Sequence, residues 1–169
     1  MQRIGFKEWA LVCDALGSGK QSAIIRKGGI AEGRDGFAFR HREFFLFPTF
    51  FHEQVERVRL SEPKLPEPLA GEIEIRYFAE VEEARLLTRW EDVRALAPLH
   101  ILRESVVRER FEYDETPGVH VAFVKIFRLD PVWRFPDTKA YGGCRSWVEL
   151  PEPPAGLHLH AVLPERSIG

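Results

Sequence analysis

Residues 119–129, VHVAFVKIFRL, are apolar on both faces of an extended chain, with Val121 and Phe123 pointing one way and Ala122, Val124 and Ile126 the other. A strand of this kind has to be covered on both sides, so it belongs at the centre of a sheet. Glu72-Ile73-Glu74-Ile75-Arg76-Tyr77-Phe78 alternates instead, which predicts a half-buried strand with Ile73, Ile75 and Tyr77 on one face. Shorter strands are expected at 8–13, 21–26, 43–47, 146–150 and 157–163, with Pro48 stopping the third and residues 16–20 making a hairpin turn between the first two. Thr88-Arg89-Trp90-Glu91 matches a capping box, and Trp90, Val93 and Leu96 follow at helical spacing. Pro98 separates that helix from a second one over 103–111. Strands with one helical insert near 88–111, and no βαβ alternation, predict an α+β fold: a mostly antiparallel sheet or a small β-barrel.

At 169 residues, 44% hydrophobic and 30% charged, the chain suits a single domain spanning 1–169. Folding should bury roughly 70% of the surface of the unfolded chain, enough for a core without metal or disulfide staples. The segment 61–71 carries Pro63, Pro66 and Pro68 and reads as a semi-rigid excursion within that domain. No apolar run approaches the ~18–20 residues of a spanning helix, and the first residues contain no secretory stretch. Cys13 and Cys144 are too few for a disulfide framework, so free thiols and a cytoplasmic location are expected. The net charge of −2 hides a gradient: residues 1–60 hold ten Lys and Arg against seven Asp and Glu, and residues 61–92 hold four against nine. A basic pole can hold an anion without changing the net charge.

Motifs of strict spacing fail. Gly17-Ser18-Gly19-Lys20 is followed by Gln21, and Asp14 stands where a phosphate loop needs its first glycine. Six histidines and two isolated cysteines make no zinc pattern, so no metal or cofactor is called for. His158 and His160 share a strand face as ligand pairs can, but fit a solvated edge strand. His41, Glu43, His52 and Glu53 are a candidate hydrolase or nuclease set, should the chain fold them together around a divalent metal. A PD-(D/E)-x-K nuclease is matched only in part, by Glu72, Glu74 and Arg76, and alternating Glu on a solvated strand explains these equally well. Cys144, beside Arg145, reads as a structural thiol in the absence of a neighbouring base.

The densest feature lies at 26–53. Seven of the thirteen phenylalanines fall between 37 and 51, interleaved with Arg26, Lys27, Arg34, Arg40, His41 and Arg42 around a glycine-rich loop. Bases stack on aromatic faces while Arg and Lys take phosphates, so this segment is expected to line a cationic, aromatic-floored cleft.

Four motifs, FKEWA (6–10), RKGGI (26–30), HREFFLFPTFFHE (41–53) and YGGCRSWVEL (141–150), resemble an uncharacterised prokaryotic domain-of-unknown-function family. Some of its members are joined to Mrr-type restriction endonuclease domains, which implies a restriction-modification context. GKQSAIIR (19–26) is similar, more distantly, to the turn-strand motif of ASCH domains, although its lysine sits one place early and Ile24 replaces a glutamate. The element order also looks like the EVE and YTH layout among PUA-like domains, which implies a PUA-like barrel that binds RNA or modified bases. The expected function is therefore nucleic-acid binding, to DNA or RNA, with a modified or flipped base read in a modification or defence context. Arg26, Lys27, His41 and Arg42 are expected to meet phosphates or base edges, with Tyr141, Arg145 and Trp147 as a second wall. The alternatives are the metal-dependent hydrolase above and a protein-interaction module without chemistry.

Overall fold

The computed structural model describes residues 2–27 and 37–165. The chain runs β1 (Ile4–Trp9), α1 (Ala10–Gly17), β2 (Ala23–Arg26), β3 (Glu43–Thr49), β4 (Glu72–Leu87), α2 (Trp90–Arg94), α3 (Glu104–Phe111), β5 (Val119–Pro136), β6 (Trp147–Glu149) and β7 (His158–Val162). The strands form one sheet in the order β2-β5-β4-β3-β1-β6, with β7 also on β5. Among the described residues only β1 and β3 pair in parallel, and the other strand pairs are antiparallel. This is the α+β sheet expected from the sequence, with the insert 88–111 folded as α2, a 3-10 turn at Ala97–Leu99 and α3.

The central strand is β5, which pairs with β4 along nearly its whole length and with β2 and β7 on its other side. Its first half packs in one core and its second half in another. One holds Phe6, Ile24, Phe44, Ala79, Val121, Ala122 and the helices. The other holds Phe45, Ile75, Phe78, Leu129, Trp133 and Phe135. The sheet curls until the end of β2 reaches β1, where the Arg26 guanidinium donates to the Lys7 carbonyl and lies 4.6 Å from the Phe6 ring centre.

Several local expectations are corrected. The apolar run read as a strand over 8–13 divides at Trp9, and the rest of it is α1. That helix is buried nearly all round (Ala10, Leu11, Val12, Cys13, Ala15 and Leu16), so its sequence carries no amphipathic period to separate it from a strand. Its N-terminus takes no cap from Trp9; buried Gln54 instead accepts the Leu11 N–H and donates to the Thr49 and Phe51 carbonyls. The supposed hairpin turn is the end of α1: Gly19 adopts φ +82°, and β1 and β2 do not pair. Strand β3 continues through Pro48, whose missing N–H costs nothing because pairing with β4 has already ended at Phe45. Helix α2 starts from an extended Arg89 without a side-chain cap, so Thr88 does not complete a capping box. Tyr77 leaves the face of Ile73 and Ile75, because a register shift falls between Ile75 and Tyr77. Both cysteines are free thiols, Cys13 buried and Cys144 exposed. Among the described residues, no helix is long and apolar enough to cross a membrane.

His100 gives the fold a pH dependence. It is 6% exposed, its Nδ1 accepts the Leu102 N–H, and burial, then Arg59 and Arg110, lower its pKa to about 4. The unfolded chain would take up this proton near pH 6.5, whereas the folded chain resists it. The neutral ring therefore contributes stability in full above pH 6.5, and this is lost as pH falls towards about 4. The loss expected from this residue is roughly 3 kcal/mol. Denaturant midpoints at pH 7 and pH 4 should differ less for His100→Asn, which keeps an acceptor near Nδ1 but cannot titrate; an unchanged difference would remove His100 as the cause.

Candidate functional site

Two places gather the residues singled out in the sequence, and they differ in kind. The first is the seam where β2 meets β1. Trp147 packs against Phe6 at 5.0 Å, Phe44 at 5.3 Å and His41 at 4.9 Å between ring centres, stacks on Phe37 at 6.0 Å, and donates its Nε1 hydrogen to the Ala38 carbonyl. Arg26 lies over Phe6 and Phe37, and its buried Nε has no hydrogen-bond partner among the described residues. Lys27 is spent nearby: its Nζ donates to the Thr116 carbonyl at 2.6 Å and pairs with Asp114 at 3.3 Å, leaving its side chain 9% exposed. Burial, then Arg40, holds the His41 pKa below its ordinary value, while Arg42 is exposed and reaches the Val81 carbonyl. The aromatic cluster and two of its cations thus close the sheet rather than floor an open cleft. The glycine-rich part of the predicted loop, 28–36, lies outside the described residues.

The second place is a cleft of about 920 Å³ at the end of the sheet where β3 and β4 part. Their pairing covers only Glu43–Phe45 against Phe78–Glu80; beyond it, β3 stays with β1 while β4 follows β5. The gap is walled by Lys7 of β1, Cys13 and Asp14 of α1, Phe47 and Pro48 of β3, Pro66–Leu69 of the connector, Glu74, Arg76 and Tyr77 of β4, Arg134 of β5, and Asp137, Thr138, Tyr141 and Gly142. Tyr77 stands against α1, where a Cβ on Gly17 would come within 2.0 Å of its ring.

Perturbed groups concentrate here, as they do at functional sites. Burial, then Arg145, lowers the Lys7 pKa, and its Nζ donates to the Gly143 carbonyl at 3.0 Å. Burial raises Asp14 against the pull of Arg76, and burial, then Asp14, raises Tyr77. Burial, then Asp137, raises Tyr141, which packs its ring on Phe47 and Phe135. Burial, then Glu8, pushes the Cys13 thiol well up, so it is no nucleophile at neutral pH.

Of the second wall expected from the sequence, Tyr141 lines this cleft and Arg145 lies beside it, donating to the Ala140 carbonyl, whereas Trp147 faces the seam. His41 and His52 do not converge. They lie beyond opposite ends of β3, which at ~3.3 Å per residue separates them by roughly 20 Å. Among the described residues, no group of three or more His, Cys, Asp or Glu is placed to hold a metal ion.

A family model for a domain of unknown function, DUF1802, matches residues 5–168. The chain belongs to the DUF1802 family. No curated protein sequence matches it. Two solved structures are similar to this DUF1802 domain over most of its length: the ASCH protein from Zymomonas mobilis and a serine-to-alanine mutant of it. Each is 14% identical with a TM-score of 0.51; they cover 88% of this chain, and 87% and 88% of their own chains respectively. The likeness is one of fold, and it agrees with the ASCH-like, PUA-like layout expected from the sequence.

Lys7, Asp14, Tyr77 and Arg134 are the cleft residues that sequence reasoning missed, because their convergence depends on where β3 leaves β4. Glu74 and Arg76 stand out in the sequence as a partial nuclease match that an alternating, solvated strand explains equally well. Gly17, which the sequence places in a hairpin turn, closes α1 under the Tyr77 ring. Gly17→Ala should destabilise this DUF1802 domain by about 1–3 kcal/mol through overpacking against Tyr77. In a Tyr77→Ala background the same change should be neutral or stabilising by up to ~1 kcal/mol, since alanine favours the helix. A double-mutant cycle by chemical unfolding checks this, and additive effects would show that the two residues do not meet.

Proposed function

We propose that the domain binds single-stranded or locally opened nucleic acid and takes one base into the cleft beside Tyr141. The observation that carries this reading is the cleft itself, about 920 Å³ and lined by Tyr77, Tyr141, Phe47 and Phe50. Aromatic faces accept any base by stacking, and cations at the edge take the phosphates on either side. Lys7 and Arg145 stand at that edge, and Lys139 belongs to the same short 3-10 turn as the tyrosine, Lys139–Tyr141. The ASCH-like fold and the resemblance to domains joined to Mrr-type endonucleases support a place in nucleic-acid modification or defence, with a modified or flipped base as the occupant.

The test is binding to short single-stranded DNA and RNA by fluorescence anisotropy across a salt series. Three phosphate contacts at this edge contribute about −2 to the slope of log affinity against log salt, at ~0.7 per contact. Replacing Lys7 and Arg145 together by glutamine should flatten the slope by about 1.4. Tyr141→Ala should weaken binding about tenfold with the slope unchanged, as loss of a stacked base does. A wild-type domain that binds no oligonucleotide at low salt refutes the reading.

A further inference from the structure

Glu74 of β4 sits in the cleft between two arginines. Its Oε1 meets Arg76 Nη2 at 2.5 Å and its Oε2 accepts Arg134 Nε–H at 2.9 Å, so both carboxylate oxygens are taken. The glutamate side chain is 19% exposed, while those of Arg76 and Arg134 are 50% and 55% exposed. Burial works to raise the Glu74 pKa, but the hydrogen bonds and charges of Arg134 and Arg76 prevail and hold it below the usual carboxylate value. The group is therefore a fixed triad of net charge +1. Each guanidinium has five N–H donors and gives one of them to Glu74.

The backbone aims this triad. Glu74 and Arg134 are cross-strand partners, but Arg76 falls in the register shift between Ile75 and Tyr77. Across that shift the partners jump from Trp133 to Arg128, so residues 129–132 of β5 stand against Arg76 alone. Arg76, two residues after Glu74, keeps to the face of Glu74, the extra residues of the shift lie on β5, and beyond it Tyr77 lines the cleft as well. As a stabilising device the triad is poor, since exposed ion pairs add little to a fold. As a receptor it is well made: the side chains are ordered before the ligand arrives, and the planar guanidinium forks suit a tetrahedral oxyanion.

We propose that Arg76 and Arg134, oriented by Glu74, form a clamp for one backbone phosphate of the bound strand, on the β4–β5 wall of the cleft and separate from the Lys7 and Arg145 edge. The clamp rests on the nucleic-acid reading above and gives the strand a second anchor. A strand held at both walls has to cross the cleft mouth, which brings the base between the two anchors over Tyr77 and Tyr141.

The experiment measures anisotropy of a labelled seven-nucleotide oligouridylate over a salt series with the full chain. Arg76→Gln with Arg134→Gln should weaken binding about tenfold and reduce the slope by ~0.7, the value for one phosphate. The double lysine variant, which keeps the charge and loses the fork, should keep the slope and still lose several-fold in affinity; it also serves if the glutamine pair folds poorly. Glu74→Gln separates orientation from charge. A clamp needs Glu74, so affinity should fall even though the cleft becomes more positive; tighter binding would overturn the proposal. Unchanged slopes in the arginine variants, beside a flattened slope in the Lys7 and Arg145 pair, would overturn the clamp and leave the nucleic-acid reading standing. In a parallel arm, inorganic phosphate is titrated while the Arg76 and Arg134 Nε–H signals are followed by NMR. If phosphate moves them but no oligonucleotide binds, the site is one for free anions and both the clamp on a strand and the nucleic-acid reading fall.

Discussion

The long ladder between β4 and β5 is the constraint from which the rest of the structure follows. It runs from Glu72 against Pro136 to Leu87 against Val119, and every other strand attaches to it directly or through β3. Two strands of this length cannot stay flat, because each carries a right-handed twist that accumulates along the pair. The ladder absorbs the twist at two register shifts, after Ile75 and after Val81. The first of these also lets β4 swing away from β3, and the space so opened becomes the cleft.

Side chains that substitute for backbone partners hold the parts around that ladder. Gln54, fully buried, supplies the acceptor that α1 lacks at its N-terminus and ties the helix to the end of β3. Gln21, also buried, does the same between β2 and the insert by accepting the Ile101 N–H and donating to the Ala23 carbonyl. Arg110 of α3 is half-buried, donates to the Ile25 carbonyl at 2.6 Å and lies over Trp9, and desolvation lowers its pKa to about 10. Removing any of these would leave buried polar groups without partners, which is far more costly than the net worth of the bond itself. They are the reason that a helix with no cap of its own and an insert of short helices keep fixed positions against the sheet.

The aromatic density around 37–51 pointed to a ligand surface, and the structure puts much of it to another use. Phe6, Phe37, Phe39 and Trp147 pack together where the sheet closes on itself, and Arg26 is drawn in among them. A closing seam needs large side chains because two strand edges meet there without a ladder, and an arginine suits it because one guanidinium can satisfy a carbonyl and cover a ring at once. The same composition suits a base-binding cleft, so composition cannot separate the two. The cleft in this fold draws on scattered residues, with Phe47, Phe50 and Tyr141 from segments that the sequence marks and Lys7, Asp14, Tyr77 and Arg134 from elsewhere in the chain.

Hydrophobic pattern along the sequence determined the strand at 119–129, the alternation at 72–78, the helical insert and the α+β class, since each depends on which side of a short segment meets water. It left α1 ambiguous, because a helix buried all round has the same apolar run as a buried strand. It was silent on partner choice: β1 beside β3 in parallel, the end of β3–β4 pairing at Phe45, and the register shift on β5 beyond which Tyr77 joins Arg76 in lining the cleft. These depend on twist and on contacts between segments more than thirty residues apart. No local window contains both partners, so the site they create belongs to the tertiary structure alone.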